Sequence, residues 1–488
     1  MLWGLVEGRA RDAPHAAAVL FENTRLTNRE FRDRALSLAR GLAGLGVGRG
    51  DVVAAQLPNI PEYLLSYAAI CALGATLQPV HMPYRRAELS TLLGHSEAKA
   101  FICLSRLRDE RPAGLKNVIS LGEPDEGAVP FSRLAAAAPL DHVREGSPED
   151  RFLLLYTSGT TDDPKGVPHA QRGFLANAMA SVPELEISQQ EIVLSAAPLT
   201  HLYGLYAYHL SLCSGAAMSL LPAFTPAGLA ELVQKHRVNC VFAGPAHFKP
   251  LLDAGLLERH DFSAMRFTCL SGSPVPPALA AGVEKKLSKG KTIQLWGMTE
   301  LQAGSFSRPR DPADVRHGTA GAATPGTELR VVDERLQVRG ISLFSGYLKN
   351  ENATKEAFTP DGWFETGDTA ELSPAGHLRF TGRVKEIINR GGVKYSPVDV
   401  EAIIDRIPGV ARSAIVPYPD AVLGERACVF VQPAPGAPAA TLEAIMRELD
   451  RAGVAKFKWP ERLELLEAMP LTPTQKVMRG RLRELLKR

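Results

Sequence analysis

The sequence predicts an α/β protein: a large N-terminal domain of parallel-rich sheets with flanking helices, followed by a small α+β C-terminal domain. Three observations carry this. Helix and strand signals alternate through the first 120 residues and return between 238 and 296, the rhythm of a mostly parallel sheet covered on both faces. Beyond about residue 380, short strands mix with short helices instead. The 488 residues allow roughly two to four domains, and a chain of that size buries a core without disulfide or metal staples.

In chain order, Thr27 and Glu30 form a capping box before the apolar-periodic stretch FRDRALSLARGLAGLG, and the glycines from Gly41 to Gly50 end that helix. VVAAQL (52–57) follows as a buried strand. Pro61 opens a helix over EYLLSYAAICALGA, which Gly74 closes. VNCVFAG (238–244), RFTCL (266–270) and TIQLW (292–296) read as further buried strands, with SGSPVP (271–276) a turn and PALAAGVEKKL a helix. HLRFTG, KEIINR, VDVEAIIDRI, ARSAIVPY and ACVFVQP make the mixed C-terminal texture. PAPGAPAA (433–440) is a loop, and the tail from Glu443 reads as helical with a basic end. The domain boundary is expected near Lys385, giving residues 1–384 and 385–488.

Composition excludes several function classes. Apolar residues are 45% and charged residues 22%, ordinary for a globular protein. The 56 Lys and Arg against 53 Asp and Glu leave +3, too balanced to indicate a nucleic-acid or membrane partner. The six cysteines are scattered with no C-x-x-C pair, which favours buried reduced thiols over a disulfide framework or zinc site. The N-terminus has no basic start and meets Glu7 before a signal-length apolar stretch forms. A cytoplasmic protein is expected.

The most informative segment is YTSGTTDDPKGV, residues 156 to 167, where the apolar strand RFLLLY runs into a loop of hydroxyls. Gly159 lets the backbone approach a ligand, while Thr157, Ser158, Thr160 and Thr161 offer hydroxyls and Lys165 a positive charge. Successive loop N–H groups form an anion-binding concavity. A polyphosphate needs this set. The segment is not a G-x-x-x-x-G-K-[ST] loop, because the lysine precedes its glycine, and no G-x-G-x-x-G follows a strand.

The segment resembles the TSGTTG-x-PKG signature of the AMP-forming adenylating enzymes, which include acyl-CoA synthetases, aryl-CoA ligases, adenylation domains and firefly luciferase. Asp162 stands where that family usually has Gly. The other family motifs follow in order along nearly the whole chain. The resemblance implies that Gly272, Ser273 and Pro274 in SGSPVP bind adenine, together with Trp296, Gly297 and Met298 in QLWGMTE. It implies that Thr299 donates to a phosphate and that Glu300 gives Mg²⁺ a hard oxygen. Asp368 in GWFETGD and Arg383 in GRVKEIINRGG are implied as ribose contacts, Lys385 as a hinge, and Gly391 with Gly392 as the lining of a pantetheine tunnel. Lys476 in PLTPTQKVMR is implied as the catalytic lysine of a mobile C-terminal domain, with Gln475 in place of the usual Gly.

PLTHLYGL resembles the family's substrate-side motif, which implies that His201 lines the carboxylate pocket; Tyr203, Ala243 and Gly244 around it make a mix of aromatic and small residues that suits an apolar acid of medium size. The implied partners are a small-molecule carboxylic acid, ATP with Mg²⁺, and coenzyme A. The expected reaction is acyl-adenylate formation followed by thioester formation, and no G-x-S-x-G elbow suggests a side-chain nucleophile. Two rivals remain at this stage: loading of a carrier-protein phosphopantetheine, and a catalytically silent nucleotide-binding protein.

Overall fold

The computed structural model describes residues 1–487 apart from 145, 158–164, 473 and 474. The chain forms two compact units, residues 1–328 with 339–362, and residues 329–338 with 363–488.

The first unit holds two parallel-rich sheets of nine and seven strands, as the alternating texture predicts. In the larger sheet, the strands Ala17–Phe21, Ala217–Leu220, Ile192–Ser195, Cys240–Ala243, Phe267–Leu270 and Lys291–Met298 lie side by side and parallel. These strands are apolar along nearly their whole length, as a sheet covered on both faces requires. In the smaller sheet, the parallel strands around Val52–Gln56 end in the antiparallel pair Arg151–Thr157 and Lys165–Ala170.

Local signals hold where they are strong. Thr27 caps the helix Asn28–Gly44 through its side chain, and Glu30 returns the bond to the Thr27 backbone. Pro61 is the first residue of the helix Pro61–Ala72, and Gly74 takes a φ of +66° just past its end. The strands expected near 240, 267 and 292 are all present, although the last runs on to Met298. No helix among the described residues is long and apolar enough to cross a membrane.

The second unit contains most of an antiparallel sheet of the strands Thr327–Val332, Arg335–Gly340, Phe364–Leu372 and Leu378–Arg383, of which Thr327, Glu328, Arg339 and Gly340 are grouped with the first unit. A five-stranded sheet and three helices follow. Packing therefore groups strands before residue 384 with the C-terminal elements, since hairpin-linked antiparallel strands bond to one another rather than to a distant sheet. The expected division at Lys385 concerns a point of rotation and is taken up below as a proposal. The tail differs from the expectation. Among the described residues it is α-helical only over Leu442–Arg451 and Arg479–Leu485, because Arg462–Leu465 adds a parallel strand beside Gly424–Pro433 and Pro460 and Pro470 bracket that strand.

The helix Leu202–Ser214 is pressed hard onto the segment before it. A Cβ at Gly204 would overlap the Pro198 carbonyl oxygen. Gly204→Ala is expected to destabilise the protein by about 1–3 kcal/mol, the usual cost of overpacking, measured as a lowered midpoint in urea with an unchanged slope.

Candidate active site

Four strand ends of the nine-stranded sheet open side by side at one edge. Ile192–Ser195 leads to His201, Cys240–Ala243 to Gly244, Phe267–Leu270 to Ser271–Pro274, and Lys291–Met298 to Thr299 and Glu300. Because the strands are parallel and adjacent in that order, segments up to 100 residues apart share one rim. The carboxyl edge of an open α/β sheet is where such folds bind ligands.

On the nucleotide side, Gly272, Ser273 and Pro274 are exposed, and Gly272 has a φ of +91° that L side chains rarely adopt. A bulge falls between Trp296 and Gly297. Gly297 has no room for a Cβ, which would overlap the Gln302 carbonyl. Trp296 is 7% exposed, and its indole lies over Gly304, where a Cβ would overlap the ring. The segment thus presents Gly297 and Met298 at the surface more than the indole.

Glu300 is 7% exposed. The Tyr347 hydroxyl donates to its Oε1 at 2.9 Å, and Phe344 N–H donates to its backbone oxygen at 2.8 Å. The same Tyr347 ring carries the Lys165 ammonium 4.8 Å from its centroid, and Leu348 N–H donates to Gly166 O at 2.8 Å. Thr157 pairs with Lys165 across the two strands that bracket the hydroxyl loop. The loop's ends are therefore fixed beside Glu300, while Ser158, Gly159, Thr160 and Thr161 lie outside the described residues.

Behind this cluster sit two buried neutral imidazoles. His169 donates from Nε2 to the Thr299 carbonyl at 2.7 Å, and burial pushes its pKa down to about 4. His209 lies between Gln302 Nε2, 3.1 Å away, and the Tyr67 hydroxyl, 3.0 Å away. An amide nitrogen only donates, so His209 Nδ1 accepts and Nε2 carries the proton toward Tyr67. Burial pushes this group down to about 3.

On the carboxylate side, His201 caps its helix by accepting from Tyr203 N–H on Nδ1 at 3.2 Å. The His81 ring stacks on it with centroids 6.2 Å apart, and His81 Nδ1 lies 3.0 Å from Thr200 Oγ1. Tyr203 is buried and its hydroxyl donates to Cys269 O at 2.7 Å. Ala243 is fully buried, whereas Gly244 is partly open and donates its N–H to His247 Nδ1 at 2.9 Å. His201 and Gly244 thus reach the surface, while Tyr203 and Ala243 form the layer beneath.

The second unit holds the remaining expected residues. Asp368 and Arg383 are cross-strand partners, with Arg383 Nε 3.0 Å from Asp368 Oδ1. Gly391 and Gly392, at φ +59° and +85°, form the two-residue turn of the hairpin Ile388–Arg390 and Val393–Tyr395. Lys385 is exposed in the short turn Val384–Glu386. Lys476 donates its N–H to Thr472 Oγ1 at 3.1 Å and accepts from Thr472 N–H at 2.7 Å through its carbonyl. Gln475 has a φ of +65°, a left-handed position that glycine takes without strain.

Against family models, residues 6–348 match the AMP-binding enzyme and residues 399–476 match the AMP-binding enzyme C-terminal domain. The chain belongs to the AMP-binding enzyme family. Among curated relatives it is 30% identical to the 3-[(3aS,4S,7aS)-7a-methyl-1,5-dioxo-octahydro-1H-inden-4-yl]propanoyl:CoA ligase of Mycobacterium tuberculosis, over 97% of each chain. It is 32% identical to a salicylyl-CoA synthase / salicylate adenylyltransferase of a Streptomyces species, over 96% of this chain and 91% of the relative. Among solved structures it superposes on ATP-bound MatB from Rhodopseudomonas palustris with a TM-score of 0.89 at 26% identity, covering 100% of this chain and 99% of the other. The resemblance read from the motifs is borne out.

Three residues of this AMP-binding enzyme's site escaped sequence reading: Tyr347, His169 and His81. Each acts through a partner 47 or more positions away, 130 for His169 and 119 for His81, and none belongs to a motif with a mechanism of its own. Tyr347→Phe keeps the ring under Lys165 but removes the hydrogen bond to Glu300. A bond to a charged group is worth about 1.5–3 kcal/mol to the folded state, so the urea midpoint is expected to fall accordingly, and acid-dependent pyrophosphate exchange is expected to drop about tenfold or more as Glu300 loses its orientation.

The buried imidazoles also set an acid limit. Both sit below the ordinary value of 6.5 when folded, so the unfolded chain binds more protons once the pH drops below that value. Their stabilisation is full above about pH 6.5 and is lost as the pH falls toward 4. His169→Gln should flatten the fall in stability between those pH values, read from urea unfolding at pH 7 and 4.5.

Proposed function

We propose that this AMP-binding enzyme activates an apolar carboxylic acid of medium size with ATP and transfers the acyl group to coenzyme A, releasing pyrophosphate and AMP. The meeting of Lys165, Tyr347 and Glu300 at the rim that also carries His201, Gly244 and Ser271–Pro274 carries this reading. It gives one edge a place for phosphates, for a flat base and for an acid. The names of the relatives, a propanoyl:CoA ligase and a salicylyl-CoA synthase, support an acid–thiol ligase and acids that bear rings.

A carboxylate is a poor electrophile because its leaving group would be oxide. In the first step its oxygen attacks the α-phosphorus and the bond to pyrophosphate breaks, giving a mixed anhydride. In the second, the sulfur of CoA attacks the acyl carbon and AMP leaves. The protein's part is positioning and charge stabilisation. Gly272–Pro274 with Gly297 and Met298 would bound the base, and Thr157 and Lys165 with the loop between them would bound the phosphates. Asp368 and Arg383 would hold the ribose, and Lys476 would meet the charge that develops in adenylation.

Mg²⁺ fits this site through Glu300. Among the described residues no cluster of three metal-binding side chains exists, and Mg²⁺ commonly takes one or two carboxylates plus substrate phosphates. Glu300 is a buried hard-oxygen ligand with one oxygen already steadied by Tyr347. The ion supplies neutralisation of phosphate charge when bound.

We place the rotation between the two half-reactions at Lys385, with Gly391 and Gly392 brought in for the thiol as Lys476 withdraws. Two left-handed glycines at a hairpin tip leave backbone bare of side chains, which suits a narrow passage for pantetheine.

Lys476→Ala is expected to lose roughly 100-fold or more of acid-dependent ATP–pyrophosphate exchange while remaining folded. Exchange near the wild-type rate would remove Lys476 from the adenylation step. A panel of carboxylic acids scored by pyrophosphate release identifies the substrate, with ring-bearing apolar acids expected to lead.

A further inference from the structure

The turn read as the hinge and the turn that carries Lys476 are joined through one short helix. Arg479–Leu485 starts three residues after Lys476, and Met478 N–H donates to Pro470 O at 2.8 Å, closing the loop that bears the lysine. Arg479 is the centre of a partly buried ionic cluster. Its Nη1 and Nη2 lie 2.6 and 2.8 Å from the two oxygens of Glu401. Its Nη1 also donates to Ile415 O at 2.9 Å, and its Nε lies 3.0 Å from Glu386 Oε2. One turn later, Arg483 Nη2 donates to Lys385 O at 3.1 Å. Lys385 and Glu386 are neighbours in the single turn Val384–Glu386.

Glu401 already gives Arg479 a bidentate carboxylate, and its Oε1 also accepts from Ile415 N–H at 2.6 Å. That pair ties the helix Val398–Ile404, the strand Val410–Asp420 and the C-terminal helix together. Glu386 adds nothing to those three. Its contact reaches to the hinge turn alone, and Arg483 seizes the main chain of the same turn.

We propose that Arg479 and Arg483 clasp the downstream side of the turn Val384–Glu386, the Lys385 carbonyl and Glu386, so that everything after the φ and ψ bonds of Lys385, the Lys476 turn included, moves as one rigid piece. Arg479 is then a positioning residue for Lys476. The proposal rests on the reading of Lys385 as hinge and Lys476 as the adenylation lysine. A rotation is then taken up at φ and ψ of Lys385, whose carbonyl travels with the clasp, and the ammonium arrives at a fixed place. A misplacement of about 1 Å can cost up to about 100-fold in rate, which is what a loose hinge would impose.

Glu386→Gln breaks the clasp and leaves the Arg479–Glu401 pair intact. Acid-dependent pyrophosphate exchange should fall about tenfold in kcat, with KM for ATP within about twofold and the melting temperature close to wild type. Arg483→Met should act in the same direction. Placed in the Lys476→Ala background, Glu386→Gln should change the residual exchange no further, because its effect passes through that lysine. Wild-type exchange in Glu386→Gln beside a crippled Lys476→Ala overturns the clasp alone. An equal further loss in the Lys476→Ala background overturns it as well, since the defect would then be structural. Wild-type exchange in Lys476→Ala overturns the parent reading and the clasp with it.

Discussion

The Thr299 carbonyl ties the two sheets of the large unit to each other beside Glu300. It accepts from His169, whose strand belongs to the seven-stranded sheet, while Thr299 follows a strand of the nine-stranded sheet. The bond works only with a proton on His169 Nε2, and burial keeps the ring neutral with its other nitrogen unprotonated. The contacts around it repeat the theme. Leu348 bonds to Gly166, and Tyr347 reaches both Lys165 and Glu300. A neutral imidazole donor, an aromatic face and main-chain bonds thus hold the loop's ends beside the Glu300 carboxylate.

Much of the fold was legible because its signals are local. The capping box at Thr27 and Glu30, Pro61 at its helix start and the apolar strands each need only a few neighbouring residues. The order of motifs along the chain likewise announced which segments share a rim, since parallel strands deliver their ends to one edge. The tail was misread for the opposite reason. RLEL (462–465) has no strong strand pattern of its own, and it becomes a strand by pairing with Gly424–Pro433, a partner that local periodicity does not reveal. Tyr347, His169, His81 and Arg479 belong to the same class: ordinary residues in sequence, given roles by partners that only the fold supplies.

The small unit combines firmness and freedom in separate places. Left-handed residues punctuate it at Gly391, Gly392, Gly424 and Gln475, all at turns between strands or at the lysine loop. Between those turns the Arg479 cluster binds the helix Val398–Ile404 and the turn Val384–Glu386 through carboxylates and the strand Val410–Asp420 through the Ile415 carbonyl. A buried ion pair is weak evidence for stability, because desolvation offsets much of its attraction, but its directional bonds specify one arrangement. Specification of that kind suits the role proposed for Lys476.

Trp296 and Gly304 face each other across their hairpin, the indole filling the space a side chain at 304 would need. The two positions therefore cannot drift independently through an evolving lineage. A larger residue at 304 costs about 1–3 kcal/mol while Trp stays at 296, and a smaller aromatic at 296 leaves an empty pocket until 304 grows to fill it. Either change alone destabilises the hairpin, and the pair together offsets the loss. A descendant of this chain should keep both residues or exchange both, and an ancestor with a different aromatic at 296 should have carried more than a hydrogen at 304.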